Sequence, residues 1–164
     1  MNYKIRDLLN IQINKELEAA YLYLEFSNFF DSNGLDGYAH YYRVQAKEEI
    51  NHAMLIYDYL HKANQEVKLM VIKAPEVSYN NIEEVLDAGL SAEKQISKYI
   101  NDIYNETISS SDFASKIFIR WFVKEQFDEE TSAQKMIDEY KLYKNDLYLL
   151  NKKYLNREYK KYSL

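Results

Sequence analysis

Apolar residues recur along most of this chain in steps of three and four, the spacing that gathers them into one stripe on an α-helix. Four long stretches carry the pattern: residues 3–30, 37–63, 81–108 and 112–142. The first stripe reads Ile5, Leu9, Gln12, Glu16, Ala19, Tyr23, Phe26, Phe30. The second reads Tyr38, Tyr42, Gln45, Glu49, His52, Ile56, Tyr59. The third is Ile82, Leu86, Gly89, Glu93, Ile96, Ile100, Ile103, and the fourth Phe118, Phe122, Glu125, Glu129, Ala133, Met136, Tyr140. At 1.5 Å per residue each helix is about 40 Å long, far beyond the ~11–12 residue mean. A short fifth helix is expected near 146–155.

The breaks between stretches set the connectivity. Asn33-Gly34-Leu35-Asp36-Gly37 is a turn, with Gly34 suited to end one helix and Asp36 to cap the next. The serines and acid of 109–112 form a second short break. Short turns make helices one and two antiparallel neighbours, and likewise three and four. Residues 64–81, with the chain's one proline at Pro75, read as a long extended connection. It can span the bundle, so helix three can start at either end. The expected fold is all-α: a four-helix bundle with one long crossover between helices two and three, plus a short fifth C-terminal helix. One domain is expected over 1–164, with the bundle at about 3–142 and the terminal helix and tail at 145–164.

Composition narrows the chemistry. Three Gly and one Pro supply too few turns for a strand-rich fold. The absence of Cys excludes disulfides, thiolate zinc, iron–sulfur clusters and cysteine nucleophiles. It leaves open a hard-ligand metal site of carboxylates and imidazoles. No stretch approaches the ~20 apolar residues of a membrane span. Met1-Asn2-Tyr3-Lys4 shows no basic head before an apolar run, so a cytoplasmic protein is expected. A formal charge of −5 argues against nucleic-acid binding. Lys152, Lys153, Lys160 and Lys161 read as a solvated tail, and the seventeen Tyr largely as compositional bias.

Each stripe is interrupted by a glutamate near the middle of its helix. Glu16, Glu49, Glu93 and Glu129 therefore share one layer of the bundle whichever way each helix runs. A single Glu on a helix is ordinarily a solvated residue; four at one height, with His52 a turn from Glu49, are not. Buried together they cannot all stay ionised without a counter-charge, because desolvation and mutual repulsion both disfavour the charged forms. Bound cations remove that conflict.

Glu49-x-x-His52 sets a carboxylate and an imidazole on one face, able to hold one metal. Alone the spacing is common. Joined to centred glutamates on three further helices, it is the ligand logic of di-iron carboxylate bundles, and Fe(II) suits the nitrogen and oxygen mixture. A carboxylate has two oxygens, so Glu49 can bridge two metals, and anionic ligands favour Fe(III) over Fe(II). On the residues alone, Tyr23 can equally be a core aromatic, Trp121 reads as packing, and His40 and His61 read as surface residues.

Glu16 with Tyr23, the run Lys47-Glu48-Glu49-Ile50-Asn51-His52, Glu93, and Trp121-Phe122-Val123-Lys124-Glu125-Gln126-Phe127-Asp128-Glu129-Glu130 resemble the non-haem bacterial-type ferritins. The 44-residue step from Glu49 to Glu93 and the 32-residue step to Glu125 match that layout, and the resemblance spans essentially all 164 residues. It implies a ferritin-like fold and a ferroxidase that oxidises Fe(II) with O2 or H2O2 and stores ferric mineral in a hollow homo-oligomeric shell of 24 subunits. It implies further that Glu16, Glu49 and His52 hold one iron and Glu49, Glu93 and Glu129 a second, with Gln126 beside the pair. Tyr23 hydrogen-bonds a ligand and can supply an electron. A third, outer iron takes Glu48, Glu125, Asp128 and Glu129; the family has Glu where this chain has the shorter Asp128.

Relatives within the fold are set apart by their ligands. A haem-containing bacterioferritin carries a second ExxH on helix four, where this chain has Gln126-x-x-Glu129. A rubrerythrin adds a cysteine-bound iron domain, and mini-ferritins build their iron site between subunits.

Overall fold

A computed structural model describes residues 1–75 and 78–164. Its elements are α1 (Tyr3–Ser32), α2 (Asp36–Lys62), α3 (Ile82–Ser109), α4 (Phe113–Tyr143) and α5 (Leu147–Tyr154). All five expected helices are present, with ends within two residues of those read from the sequence.

Most helix starts carry their own caps. Asn2 accepts from the Ile5 amide at 2.8 Å, Asn81 from Glu84 at 2.9 Å, and Asp112 from Ser115 at 3.0 Å. Each satisfies an amide that the helix itself leaves unbonded. The turn after α1 places Gly34 at φ 72°, the left-handed region that glycine enters without strain.

The start of α2 differs from expectation. Asp36 does not cap it; it is the first helical residue, and Leu35 at the cap position has no side-chain acceptor to offer. The cap comes from α5: Asn151 Oδ1 accepts from the Gly37 amide at 2.7 Å and the Tyr38 amide at 3.2 Å, and Asn151 Nδ2 donates to Asp36. A Cβ on Gly37 would stand 1.7 Å from the Asn151 carbonyl oxygen, so glycine is what lets α5 dock there.

The direction of the crossover settles the topology. From the end of α2 the chain runs back along α1, with Asn10 bonding the Glu66 carbonyl and the Lys68 amide, and Tyr79 packing on Phe26 and Phe29 near the far end. Helix α3 thus begins beside the C-terminal end of α1 and finishes at its start, where Glu106 pairs with Lys4 and accepts from Asn2. The extended connection expected over 64–81 is described at 64–75 and 78–81; Glu76 and Val77 lie outside the described residues.

The stripes of α1 to α3 face the core over most of their length, with Tyr59 and Ile82 half-buried at the ends. The stripe of α4 is rotated from its expected phase. Ser115, Ile119, Phe122 and Gln126 point inward, whereas Phe118 is half-buried and stacks on Tyr59, and Glu125 is half-buried at the border with α2. Phases starting at Phe118 or at Ile119 share Phe122 and Glu129, so the three-and-four rule permits both. Phe26, Phe30, Tyr38 and Tyr42 form an aromatic cluster on the α5 side of the carboxylate layer. Among the described residues no helix is long and apolar enough to cross a membrane.

The tail also departs from expectation. Its lysine side chains are exposed, but the backbone is docked. The amides of Lys160 and Tyr162 donate to Glu48 and to Asn51 on α2, and the Arg157 carbonyl meets His40 Nε2 at 2.8 Å. His40 is accordingly half-buried, while His61 is exposed as expected.

Candidate metal centre

One helical turn below the aromatic cluster, the core changes from hydrocarbon to carboxylate. Glu49 is 0 % exposed, Glu16 1 %, His52 2 % and Glu93 3 %. Glu129 is half-buried as a residue, but its Oε2 is fully enclosed. Each arrives from the middle of a different helix, apart from Glu49 and His52, which are one turn apart on α2.

Two groups of ligand atoms form here, each with its members within 4.8 Å of one another: Glu16, Glu49 and His52, and Glu49, Glu93 and Glu129. Glu49 belongs to both. A third group joins His52, Glu125 and Glu129. Of the residues expected at an outer position, Glu125 and Glu129 fall in this third group. Glu48 instead pairs with Arg157, and Asp128 is exposed and belongs to none of the three.

Amide and phenol donors hold the carboxylates in place. Gln12 donates to Glu16 at 2.8 Å, and Gln45 donates to Glu49 at 2.8 Å and to Glu129 at 3.0 Å. Gln126 donates to the Glu93 carboxylate at 2.6 Å and to its carbonyl at 3.1 Å. The Tyr23 hydroxyl donates to the other Glu93 oxygen. These are the neighbours that fix ligand orientation at metal sites.

The donors do not suffice. Glu16 Oε2, Glu129 Oε2 and His52 Nε2 are buried with no hydrogen-bond partner, a costly condition in a native core. Burial, then the charge of Glu49, pushes Glu93 up to about 8. The same two causes hold Glu16 and Glu129 well above the usual carboxylate range. His52 would be lowered by burial, but the adjacent Glu49 carboxylate outweighs this and takes it up to about 9. Burial and the Glu93 charge raise the Tyr23 phenol, which keeps its proton. Oxygen and imidazole donors facing one another, several of them unpartnered, fit divalent iron.

Some residues around the centre have no role in the sequence reading. Gln12 and Gln45 sit in them, each four residues before a glutamate, a spacing that puts amide and carboxylate on one face; that signal was available. Arg157 and Tyr162 carried none, because the tail has no period. Arg157 bonds Glu48, Gln45 and the Tyr41 carbonyl. The Tyr162 ring lies 5.7 Å from His52 and 5.0 Å from Trp121. Trp121 packs against His52 and Phe122.

Four long helices enclosing paired carboxylate clusters that share one glutamate define a di-metal carboxylate bundle. The chain belongs to the ferritin-like domain family, whose model matches residues 6–143. It is 34% identical over 152 residues to the bacterial non-heme ferritin of Campylobacter jejuni, covering 91% of each chain. It is 33% identical to that of Staphylococcus saprophyticus, over 84% of this chain and 83% of the relative. Among solved structures, an open pore ferritin of Archaeoglobus fulgidus superposes with a TM-score of 0.93 at 32% identity, over 96% of this chain and 98% of the other.

Proposed function

We propose that this protein is a ferroxidase and iron store whose substrate, Fe(II), is oxidised at a two-iron centre inside each subunit. The observation that carries the proposal is the pair of buried ligand clusters meeting at Glu49. Glu16, Glu49 and His52 take one Fe(II), and Glu49, Glu93 and Glu129 take the other, with Gln126 and Tyr23 orienting Glu93. Glu48, Glu125, Asp128 and Glu129 are the residues for a third, outer iron. Glu125 and Glu129 meet His52 in one cluster, and the short arm of Asp128 makes this position the weaker one.

Two adjacent ferrous ions supply two electrons. Dioxygen accepts both together with two protons and leaves as hydrogen peroxide; hydrogen peroxide as oxidant takes two electrons and two protons and leaves as water. Displacing protons from Glu16, Glu93 and Glu129 is the first task of binding, since a metal ligates the deprotonated carboxylate. Once deprotonated, the anionic layer has a stronger hold on the ferric than on the ferrous ion, which favours the oxidation. The buried hydrogen bond from Tyr23 to Glu93 supports an electron-supplying role for this phenol.

Ferric product is stored inside a hollow homo-oligomer of 24 subunits in the cytoplasm. Family membership supports the closed assembly, and α5, docked on the end of α2, contributes to the subunit surface that builds it. Anaerobic Fe(II) titration followed by oxygen tests the chemistry. Saturable binding and a ferric absorbance rise on oxygenation are expected; no absorbance change would leave only a structural role. Light scattering tests the shell, which a stable monomer would exclude.

A further inference from the structure

The segment after α5 crosses the α2–α4 face of the metal centre and is fixed there by interactions of its own. The Arg157 guanidinium pairs with Glu48, which is 4 % exposed, and lies 3.9 Å from the Tyr41 ring centre. It also donates to Gln45 Oε1 at 2.6 Å. That bond fixes the Gln45 amide so that its nitrogen faces Glu49 and Glu129. Five residues on, the Tyr162 ring covers His52 and Trp121, and its hydroxyl lies beside Glu125. Beside this segment is an open cavity of about 680 Å³ bordered by Glu48, Glu125, Glu129, Arg157 and Tyr162.

We propose that residues 155–164 form a strap whose Arg157 is a tethered cation on Glu48, at the rim of the centre, so that loading beyond the central iron pair requires Arg157 to leave Glu48. The inference rests on the two-iron reading above and adds a control to it. With His52 and one oxygen of Glu129 taken by the central pair, Glu125 and the second oxygen of Glu129, which lie within 4.8 Å in one ligand group, remain for a further ion, and Glu48 and Asp128 border the same cavity. What opposes the ion is on the strap. A guanidinium beside Glu48 repels a divalent cation and occupies one carboxylate, and the Tyr162 ring packs over His52 at the edge of the position. Buried Glu48 needs a counter-charge in either state. The strap supplies it when the outer position is empty, and the ion supplies it when the position is filled. Arg157 is thus a positioning residue, acting through Glu48 and Gln45.

Co(II) is the probe, being redox-inert here and coloured by its ligands. In the intact protein it should fill the central pair first and bind a further position about tenfold or more weaker than in Arg157→Gln or in a chain ending at Leu155, a difference of about 1.4 kcal/mol. Adding Glu125→Gln to Arg157→Gln should abolish the gained ion. Equal outer affinity in the intact chain and both variants would overturn the strap, whereas absence of any central binding in the intact chain would instead overturn the two-iron reading. The unsubstituted protein gives a second test by amide exchange. Lys160 and Tyr162, whose amides bond Glu48 and Asn51, should lose protection when excess Co(II) is added. Unchanged protection at saturation would contradict the proposal.

Discussion

Glu49 Oε2 lies 3.0 Å from His52 Nδ1, one turn away on the same helix, while its other oxygen accepts from Gln45. Neither contact is with water, and both partners are buried. This carboxylate is common to the two central ligand groups, so the centre has one hinge of charge rather than four equal acids.

Replacing Glu49 by Ala should therefore slow iron oxidation by about 100-fold or more, the upper range for losing a partner at a metal site. The helices should remain, because removing an acid from a repelling cluster relieves strain as well as leaving a cavity. Stopped-flow absorbance after oxygenation gives the rate, and circular dichroism gives the helix content. An unchanged rate would refute the bridging role.

The metal-free protein should lose stability as pH rises. Glu93 is up at about 8 in the fold against 4.5 as a free side chain, and His52 is at about 9 against 6.5. Between each pair of values the folded state holds more protons than the unfolded one, so ionisation costs folding free energy. The stabilising effect is complete below the free values and fades through about pH 5 to 9; Glu16 and Glu129 act in the same direction. Thermal midpoints of chelator-treated protein across that range should fall steadily. A flat or rising profile would contradict the charge balance assigned to the layer.

Tyr23→Phe removes the hydroxyl that donates to Glu93. That bond favours the ionised carboxylate, so without it Glu93 holds its proton more tightly and the Glu49–Glu93–Glu129 position should bind Co(II) about tenfold more weakly at neutral pH, near the lower end of the ~1.5–3 kcal/mol of a charged hydrogen bond. The Glu16–Glu49–His52 position should change less. Calorimetric titration separates the two steps, and equal weakening at both would assign Tyr23 a general packing role.

Much of the fold was legible because long amphipathic helices and sparse breakers leave few alternatives. Glu16, Glu49, His52 and Glu93 stood out as polar intrusions in apolar stripes. The phase of α4 was not settled, since Phe118 and Ile119 both continue a three-and-four stripe through Phe122. The cap on α2 and the bonds from Arg157 and Tyr162 to α2 depend on residues more than a hundred positions apart. Local periodicity holds no information about such pairs. Crossover direction was likewise open until Asn10 and Tyr79 fixed the path along α1.

Gly37→Ala should detach α5 without melting the bundle. The added methyl meets the Asn151 backbone, which cannot rotate away as a side-chain tip could. Loss of the Asn151 cap alone costs about 1 kcal/mol, and overpacking adds about 1–3 kcal/mol. Amide exchange should rise across 147–154 while α1 and α3 stay protected; unchanged protection of α5 would show that the docking tolerates the methyl.

The central claim is that two ferrous ions sit side by side with Glu49 between them. Crystals soaked anaerobically in Fe(II) and measured at the iron absorption edge address it directly. The expected anomalous map has one peak among Glu16, Glu49 and His52 and another among Glu49, Glu93 and Glu129. Iron found only on the outer surface, with the space around Glu49 free of anomalous density, would contradict it.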